Sequence, residues 1–248
     1  MKIPKIIHQI WAGGDELSEY FAALSETWKR DYPDWKYIQW DNQMMVDFIT
    51  KHYPQYVGKY ESFPSNIQRW DAIRYLILDR IGGMYVDFDY ESIKPMDELI
   101  ADETCCFGME PDAHRGVYND STIVFNNAMM LSVPGHPFMR KVIEYVFENK
   151  DMSKIPEDRF RQVLYTTGPG VLIELYEQLT PTEKDIVYLI PAKYVTPFNS
   201  GQARRFTRGE MSEELEQCLE EAYAVHFFFT DWAADEDNDF ENTSQNDK

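Results

Sequence analysis

Two aspartates lie two positions apart in the middle of the chain, in the segment MYVDFDY that covers residues 84 to 90. Asp87 and Asp89 follow a short apolar stretch that predicts a strand, so we expect them where a sheet opens to solvent. On an extended backbone, side chains two positions apart point the same way, and the two carboxylates would converge. Converging carboxylates suit a hard divalent cation that keeps positions free for water and phosphate oxygens. By itself, the pair also fits a solvated turn that carries two surface acids.

The overall charge limits the ligands that this chain can bind. The chain has 248 residues, of which 44% are hydrophobic, and a formal net charge of −19. Such a charge argues against nucleic acid as a partner, because a polyanion is usually bound through a broad basic surface. A phosphate group must therefore be held locally, by a metal ion, a helix N-terminus or a few arginines. A cation would also stabilise the negative charge that develops on a departing diphosphate.

An acid and an arginine precede the aspartate pair and form a second candidate group. Residues 65 to 81 are predicted to form a helix that Ser65 caps and a double glycine ends. Asp71 and Arg74 are three positions apart on this helix and therefore lie on one face. Near the strand end, such a pair is suited to bind sugar hydroxyls and to position a donor. The alternative is an ordinary surface ion pair worth less than about 1 kcal/mol.

The elements that must position these residues alternate along the chain. Apolar segments predict strands at residues 5–11, 35–40, 84–87, 104–109, 122–130, 186–190 and 223–229. Helices are predicted between most of them, so we expect an α/β fold with a mostly parallel sheet covered on both faces. Ligands of such sheets bind at the carboxyl ends of the strands. We predict one domain over residues 1–232 and an acidic, disordered tail over residues 233–248.

Cysteine usage and hydropathy predict where the protein is found. Cys105, Cys106 and Cys218 form neither a disulfide framework nor a metal-ligand spacing, which favours a reducing compartment. The apolar N-terminal stretch is short and interrupted, and no uninterrupted apolar run reaches about 18 residues. We therefore expect a cytoplasmic protein with at most peripheral contact with the inner membrane.

The segments IPKIIHQIW, YIQWDNQ and RWDAIRYLILDRIGGMYVDFD make the sequence recognisable. They resemble the glycosyltransferase family with the DXD sugar-binding motif (family 32), and the resemblance extends over about residues 2–232. This family includes bacterial capsular and lipopolysaccharide sugar transferases and fungal initiating mannosyltransferases. The resemblance implies a single Rossmann-like nucleotide-diphospho-sugar transferase domain (GT-A type), with a mostly parallel mixed sheet flanked by helices.

Matched by position, the resemblance implies where a donor binds. Trp11 would stack on the base of the nucleotide, and Tyr85 would line the sugar pocket. Asp71 and Arg74 would hold the donor sugar. Asp87 would face the donor near its ribose and sugar. For Trp11, packing in the core is the alternative role, because a tryptophan at the end of a first strand is often a core residue.

The resemblance also implies a bound divalent metal ion, Mn²⁺ or Mg²⁺. Asp89 would be the direct ligand, with Asp87 beside it. In the C-terminal segment HFFFTDW, residues 226–232, Thr230 or His226 would complete the metal site. Trp232 would cover the diphosphate of the donor. Many relatives carry a serine–tryptophan pair here, whereas this chain has an additional aspartate before the tryptophan, which must point away from the diphosphate or join the metal ligands.

Two further segments match the family. The resemblance places an asparagine of the segment FNNAMM (residues 125–130) at the reacting centre. We choose Asn127 over Asn126, because strand alternation lets only one of them face the cleft. The loop at residues 167–169 resembles a Thr-Gly-Pro loop of the family and opens a helix. That helix start would either favour an anion or serve only as a cap.

The sequence therefore predicts a metal-dependent hexosyltransferase, and the resemblance implies retention of anomeric configuration. The donor would be a nucleotide-diphosphate sugar, with UDP slightly favoured over GDP. The acceptor would be a glycan or a lipid-linked glycan, as in capsular, lipopolysaccharide or other surface polysaccharide synthesis. One alternative is a haloacid dehalogenase-type phosphohydrolase, although its motif usually continues to Thr or Val where this chain has Glu91. The other is a non-catalytic sugar-binding domain.

Overall fold

A computed structural model describes residues 2–12, 16–118, 121–148 and 158–229 of the chain. The strands are β1 (Ile6–Ile10), β2 (Lys36–Trp40), β3 (Gly83–Val86), β4 (Tyr90–Ser92), β5 (Cys105–Met109), β6 (Phe125–Ser132), β7 (Tyr188–Ile190) and β8 (Ala224–His226). The α-helices are α1 (Glu19–Asp31), α2 (Asn42–His52), α3 (Val57–Glu61), α4 (Asn66–Arg80), α5 (Pro137–Phe147), α6 (Arg159–Thr166), α7 (Pro169–Glu177), α8 (Pro181–Lys184), α9 (Ala192–Val195), α10 (Ser200–Thr207) and α11 (Glu213–Leu219). Segments 54–56 and 112–118 are 3-10 helices. None of the helices in this described part is long and apolar enough to cross a membrane.

Short polar side chains set the helix starts. Asp41 accepts a hydrogen bond from the backbone N–H of Met44 at 2.8 Å and thereby caps α2. At α4, the Gln68 side chain accepts a hydrogen bond from the backbone N–H of Ser65 at 3.2 Å. These contacts satisfy backbone groups that have no partner around the first helical turn. The predicted start at Ser65 is confirmed, and the helix ends at Arg80, one residue before the predicted end.

The larger sheet has the strand order β2-β1-β3-β6-β5-β7. β1 pairs in parallel with β2 and β3, and β5 pairs in parallel with β7. β6 runs antiparallel to both of its neighbours. β4 and β8 form a separate antiparallel pair. The predicted α/β fold with a mostly parallel mixed sheet is therefore confirmed.

The predicted acidic tail over residues 233–248 lies outside the described residues, and the domain limit at residue 232 stays a prediction.

Helix α4 is buried along most of its length, from Asp71 to Leu78. Its residues Ala72, Ile73 and Tyr75 to Leu78 have no exposed surface. It contacts β3, β6 and α5. A helix covered on several sides also carries its polar residues into the interior, and Asp71 and Arg74 are each only 4% exposed. The alternative that these two residues form a surface ion pair is wrong.

A double glycine after α4 turns the chain into β3. Gly82 and Gly83 have φ values of +72° and +105°, in the region that favours glycine. A Cβ on Gly83 would lie 2.5 Å from the backbone oxygen of Ile6.

His8 is fully buried beside this turn, with Nε2 2.9 Å from Gly82 O and Nδ1 3.1 Å from the indole nitrogen of Trp40. Because an indole N–H only donates, His8 is neutral and carries its proton on Nε2.

Replacement of Gly83 by alanine should destabilise the fold strongly. The expected loss in the free energy of unfolding is about 3 kcal/mol or more, because the new methyl group meets backbone atoms and the positive φ becomes strained. Gly58 is the matched control, because it is helical and a Cβ there would meet no atom within 4 Å. Gly58→Ala should be neutral or stabilising by up to about 1 kcal/mol. Urea denaturation at constant pH measures both variants, and similar losses would contradict the turn geometry.

The buried His8 ring should make stability depend on pH. Burial lowers the pKa of His8 from 6.5 to about 4. Between these pH values the unfolded chain binds a proton that the folded chain does not. The stabilisation is therefore fully present above pH 6.5 and falls by about 3 kcal/mol as the pH decreases towards 4. Urea denaturation at several pH values in this window gives the free energy of unfolding as a function of pH. This free energy should change less with pH in His8→Gln than in the wild type, and an equal pH dependence in both would contradict the neutral buried ring.

Candidate active site

The carboxyl ends of β1 and β3 open into a cleft of about 490 Å³, which α4 and the start of β6 also border. This is the edge where an α/β sheet is expected to bind its ligand. The cleft is lined by all the predicted site residues that the structure describes, namely Trp11, Asp71, Arg74, Tyr85, Asp87, Asp89, Asn127 and His226. The predicted residues Thr230 and Trp232 lie outside the described residues.

Arg74 joins the two carboxylates that the sequence placed on the helix and after the strand. Its Nη2 lies 3.3 Å from Asp71 Oδ1, and its Nη1 lies 3.3 Å from Asp87 Oδ1. Nη1 also donates a hydrogen bond to the backbone oxygen of Asn127 at 2.8 Å. The guanidinium carbon lies 4.5 Å from the centre of the Tyr85 ring. The planar, forked guanidinium suits this combination of carboxylates, carbonyl and ring.

Asp71 is held by side chains from two other segments. Its Oδ1 accepts a hydrogen bond from Asn127 Nδ2 at 2.9 Å, and its Oδ2 accepts one from Thr167 Oγ1 at 3.1 Å. Burial raises the pKa of Asp71 to about 6, while Arg74 acts in the opposite direction. The group is therefore ionised at neutral pH. A carboxylate has about four lone-pair sites, so Asp71 retains capacity for a sugar hydroxyl.

Asp87 and Asp89 lie in a turn and not on an extended strand. β3 ends at Val86, and the backbone N–H of Tyr90 donates to Asp87 O at 3.2 Å, which closes a tight turn into β4. The prediction that strand alternation points both carboxylates the same way is wrong, because the chain bends at this point. Both carboxylates still line the cleft, but with different partners. Asp87 Oδ1 accepts a hydrogen bond from the Tyr85 hydroxyl at 2.5 Å.

Asp89 connects this turn to the C-terminal segment. Its Oδ1 lies 3.2 Å from His226 Nε2, and its Oδ2 accepts a hydrogen bond from the backbone N–H of Phe229 at 3.0 Å. Its backbone oxygen accepts another from Phe227 at 2.9 Å. Burial lowers the pKa of His226, but the carboxylates of Asp89, Asp87 and Glu110 together outweigh this effect, so the pKa lies above its ordinary value. The imidazole stacks on Tyr90 with ring centres 4.3 Å apart.

The pair of Asp89 and His226 fits two adjacent ligands of Mg²⁺ or Mn²⁺. Two ligands about 2.1 Å from such an ion and at right angles lie about 3 Å apart. The distance from Asp89 Oδ1 to His226 Nε2 is 3.2 Å. The part of the chain that the structure describes holds no group of three or more His, Cys, Asp or Glu side chains arranged to bind a metal. A cation here would therefore take most of its ligands from phosphate oxygens and water.

Asn126 and Asn127 both line the cleft, so the prediction that only one of them does so is wrong. The ladder between β6 and β3 ends at Met129. The ladder between β6 and β5 shifts register between Phe107 and Met109. Because regular pairing is lost at this end of β6, strict alternation does not hold for the two asparagines. The role of Asn127 at the reacting centre stays a prediction.

Trp11 lies directly after β1, on the cleft wall. Its ring centre is 5.4 Å from that of Phe88 and 5.6 Å from that of Phe21. Its backbone N–H donates to Trp40 O at 2.9 Å. The side chain is half-buried, so these contacts fix its orientation while part of the ring borders the cleft. Stacking on a nucleotide base stays a prediction.

The sequence predictions missed several polar groups of the site. Thr167, in the predicted Thr-Gly-Pro loop, was expected to affect only a helix start, yet it supports Asp71. Glu110 and His114 line the cleft and were not predicted. Glu110 directly follows a predicted strand, and this position at a strand end was the signal available for it. His114 lies in the 3-10 helix of residues 112–118, which no pattern in the sequence indicated.

Comparison with known proteins confirms the resemblance inferred from the sequence. Residues 18–106 match the model of the family described as "Glycosyltransferase sugar-binding region containing DXD motif". Inositol phosphoceramide mannosyltransferase 1 of Schizosaccharomyces pombe is 29% identical over 197 residues, which cover 77% of this chain and 56% of the relative. Mannosyl phosphorylinositol ceramide synthase SUR1 of Saccharomyces cerevisiae is 32% identical over 196 residues, with coverages of 77% and 47%. The chain thus spans about half the length of these curated relatives.

Solved structures confirm the GT-A fold. The PaToxG glycosyltransferase has a TM-score of 0.55 and 17% sequence identity, and the similarity covers 90% of this chain and 89% of that one. The UDP-bound glycosyltransferase domain from the YGT toxin has a TM-score of 0.53 and 9% identity, and it covers 88% of both chains. At these identities, the likeness concerns the fold alone.

Loss of the Arg74 guanidinium should destabilise the chain by about 3–5 kcal/mol, because two largely buried carboxylates would remain without their cation. Arg74→Met tests this in urea denaturation at pH 7. Arg161→Met is the matched control, because Arg161 is 60% exposed and pairs with Asp158 at 3.7 Å. That variant should lose less than about 1 kcal/mol. Small and equal losses in both variants would contradict a buried ion cluster around Arg74.

Proposed function

Because residues 18–106 of this chain carry the DXD-containing sugar-binding region of a glycosyltransferase family, we propose that the protein transfers a hexose from a nucleotide-diphosphate sugar to an acceptor hydroxyl. One observation carries this proposal. A single cleft contains both the ion cluster around Arg74 and the pair of Asp89 and His226. The first group is suited to bind sugar hydroxyls, and the second is suited to hold a cation beside a diphosphate.

The residues around Arg74 would bind and orient the donor sugar. Asp71 accepts hydrogen bonds from hydroxyl groups, and Asn127 and Thr167 keep its carboxylate in one orientation. Such fixed acceptors lower the entropic cost of positioning the sugar for attack. Tyr85 holds Asp87 in place through its hydroxyl. We propose retention of anomeric configuration, which rests on the family resemblance, and inverted product in an NMR assay would contradict it.

Asp89 and His226 would hold the divalent metal ion, Mn²⁺ or Mg²⁺, with Asp87 nearby. When bound, the ion supplies positive charge that stabilises the diphosphate as the sugar bond breaks. The described side chains of the cleft lining include no free lysine or arginine that would supply this charge. Arg74, its buried guanidinium, already contacts Asp71 and Asp87. A nitrogen ligand from His226 would favour manganese over magnesium.

Mannose or a related hexose is the proposed donor sugar, because the names of the curated relatives describe mannosyl transfer. The sequence favoured UDP slightly over GDP as the nucleotide. A toxin domain of the same fold binds UDP, but that likeness concerns only the fold. Both nucleotides therefore belong in the donor panel.

A lipid-linked glycan or a glycolipid is the proposed acceptor. Part of the cleft lining is apolar and includes Ile67, Trp70, Val117, Phe160 and Val163. Val117 and Phe160 are 44% and 39% exposed. Apolar side chains in the same cleft as the charged residues around Arg74 and Asp89 suit an amphiphilic molecule. A lipid-carried intermediate of surface polysaccharide synthesis has this character, as does the ceramide lipid in the names of the relatives.

The proposal predicts metal-dependent release of nucleoside diphosphate. The purified chain is incubated with UDP-glucose, UDP-galactose, UDP-N-acetylglucosamine and GDP-mannose, each with Mn²⁺, Mg²⁺ or EDTA. Release from one donor should require the metal and fall on the order of 100-fold in Asp89→Asn, because a charged ligand beside the diphosphate is lost.

Asp102→Asn is the matched control, because Asp102 is an exposed aspartate outside the cleft. It should keep the wild-type rate, and circular dichroism checks that both variants fold. Release that is unaffected by EDTA and by Asp89→Asn would contradict the proposed metal site. Turnover of p-nitrophenyl phosphate without any donor hydrolysis would favour the phosphohydrolase alternative.

A further inference from the structure

Glu110 is a carboxylate of the cleft wall that has no role in the donor site described above. It follows β5 directly, and its backbone N–H donates to Val124 O at 2.9 Å. The residue is only 8% exposed, yet it lines the same cleft as Asp87 and Asp89. Its place at a strand end next to the cleft puts it within reach of a bound ligand.

Two side chains orient this carboxylate, and the backbone of Ser200 fixes the tautomer of one of them. The Tyr118 hydroxyl donates to Glu110 Oε1 at 2.9 Å, and His114 Nδ1 lies 2.7 Å from Glu110 Oε2. The backbone N–H of Ser200 donates to His114 Nε2 at 3.1 Å. A backbone N–H can only donate, so Nε2 must be the accepting nitrogen and Nδ1 must carry the proton. In this arrangement His114 donates from Nδ1 to Glu110 Oε2, and both carboxylate oxygens act as hydrogen-bond acceptors.

The charged side chains around Glu110 determine which kind of ligand group it can bind. Within the described residues, no lysine or arginine lies within ion-pair distance of Glu110. Among the described residues, the charged side chains that line the cleft, histidines aside, are four carboxylates and one guanidinium, namely Asp71, Asp87, Asp89, Glu110 and Arg74. Glu110 thus repels a diphosphate and favours a neutral hydrogen-bond donor. Each of its oxygens has one protein donor and retains a lone pair for a hydroxyl.

An aromatic side chain lies between this group and the predicted metal ligands. The Phe228 ring centre is 4.9 Å from that of His114 and 4.1 Å from that of His226. Phe228 also lines the cleft and has a φ of +55°, which is unusual for a bulky residue. A carboxylate and a half-buried aromatic ring that line the same cleft match a sugar or polyol, which has hydroxyls at its rim and C–H groups on its faces.

We propose that Glu110, oriented by His114 and Tyr118, binds a hydroxyl of the acceptor sugar or polyol beside Phe228. This inference rests on the proposed function, because it assigns the acceptor part of the same cleft. In this arrangement, the two substrates bind at parts of the cleft that differ in charge. The anionic donor lies at the side where a cation can bind, and the neutral hydroxyls of the acceptor lie at the uncompensated carboxylate.

Glu110→Gln tests the proposal with almost no change in side-chain size. The acceptor probes are methyl α-mannoside, octyl α-mannoside and phosphatidylinositol in detergent micelles, and the probe with the highest wild-type transfer is used for kinetics. The KM for this acceptor should rise about 10- to 100-fold, because a hydrogen bond to a charged group is lost. The donor KM and the metal-dependent donor hydrolysis without acceptor should stay within about twofold of wild type. Glu177→Gln is the matched control, because Glu177 accepts a hydrogen bond from Ser121 outside the cleft.

Two variants of His114 test the orientation of Glu110 independently. His114→Leu removes the donor to Glu110 and should raise the acceptor KM by about 3- to 10-fold. His114→Gln can still donate, so its acceptor KM should lie between those of the wild type and His114→Leu. A purely structural role of His114 would change the donor KM and the melting temperature together with the acceptor KM.

The outcomes distinguish a failure of the proposed function from a failure of the acceptor site alone. A wild-type protein without metal-dependent donor hydrolysis would overturn the proposed function, and the acceptor site with it. Normal wild-type hydrolysis and transfer, with donor and acceptor KM raised equally in Glu110→Gln, would overturn only the acceptor site. An acceptor KM that is unchanged in Glu110→Gln would overturn it as well. A selective rise in the acceptor KM supports both.

Discussion

The contact of Arg74 with Asp71 and Asp87 is the interaction on which the rest of the site depends. Each of these charges would be costly to bury alone, and the cluster is tolerable only because the three lie 3.3 Å apart and have further hydrogen-bond partners. The three residues and the Asn127 carbonyl belong to α4, to the end of β3 and to β6. A shift of any one element would separate the charges, so the packing of the helix on the sheet also fixes the geometry of the cleft.

Negative charge is the second constraint on this cleft. In the described part of the chain, four carboxylates and one guanidinium line the cleft, and this guanidinium, that of Arg74, is already paired. An anionic donor therefore needs a cation, and the pair of Asp89 and His226 offers two ligands at a suitable distance. The acidic composition of the whole chain, with a net charge of −19, works in the same direction. In the proposed function, a neutral acceptor faces no such repulsion at Glu110, which has no lysine or arginine partner within the described residues.

Local patterns in the sequence were enough to predict most elements and the central motif. Helix starts depend on a few neighbouring side chains, and buried strands are recognisable by their apolar runs. The helix predicted over residues 65–81 and the mostly parallel α/β sheet therefore followed from the sequence. Asp71 and Arg74 are one helical turn apart, and the aspartates follow the next strand. Their separation along the chain is short, so their proximity could be inferred. The bend at Asp87 was missed, because an apolar strand does not reveal where it ends in a turn.

Only the tertiary structure decided which segments that are distant in sequence come into contact. Asp89 meets His226 because the short sheet of β4 and β8 brings the C-terminal segment to the turn. Glu110 acquires its neutral histidine partner only because the start of α10 places the Ser200 N–H against His114. The sequence by itself determined the chemical groups and their local spacing. The fold decided which of them are buried, paired or open to the cleft, because desolvation and hydrogen bonding depend on neighbours that the linear order does not specify.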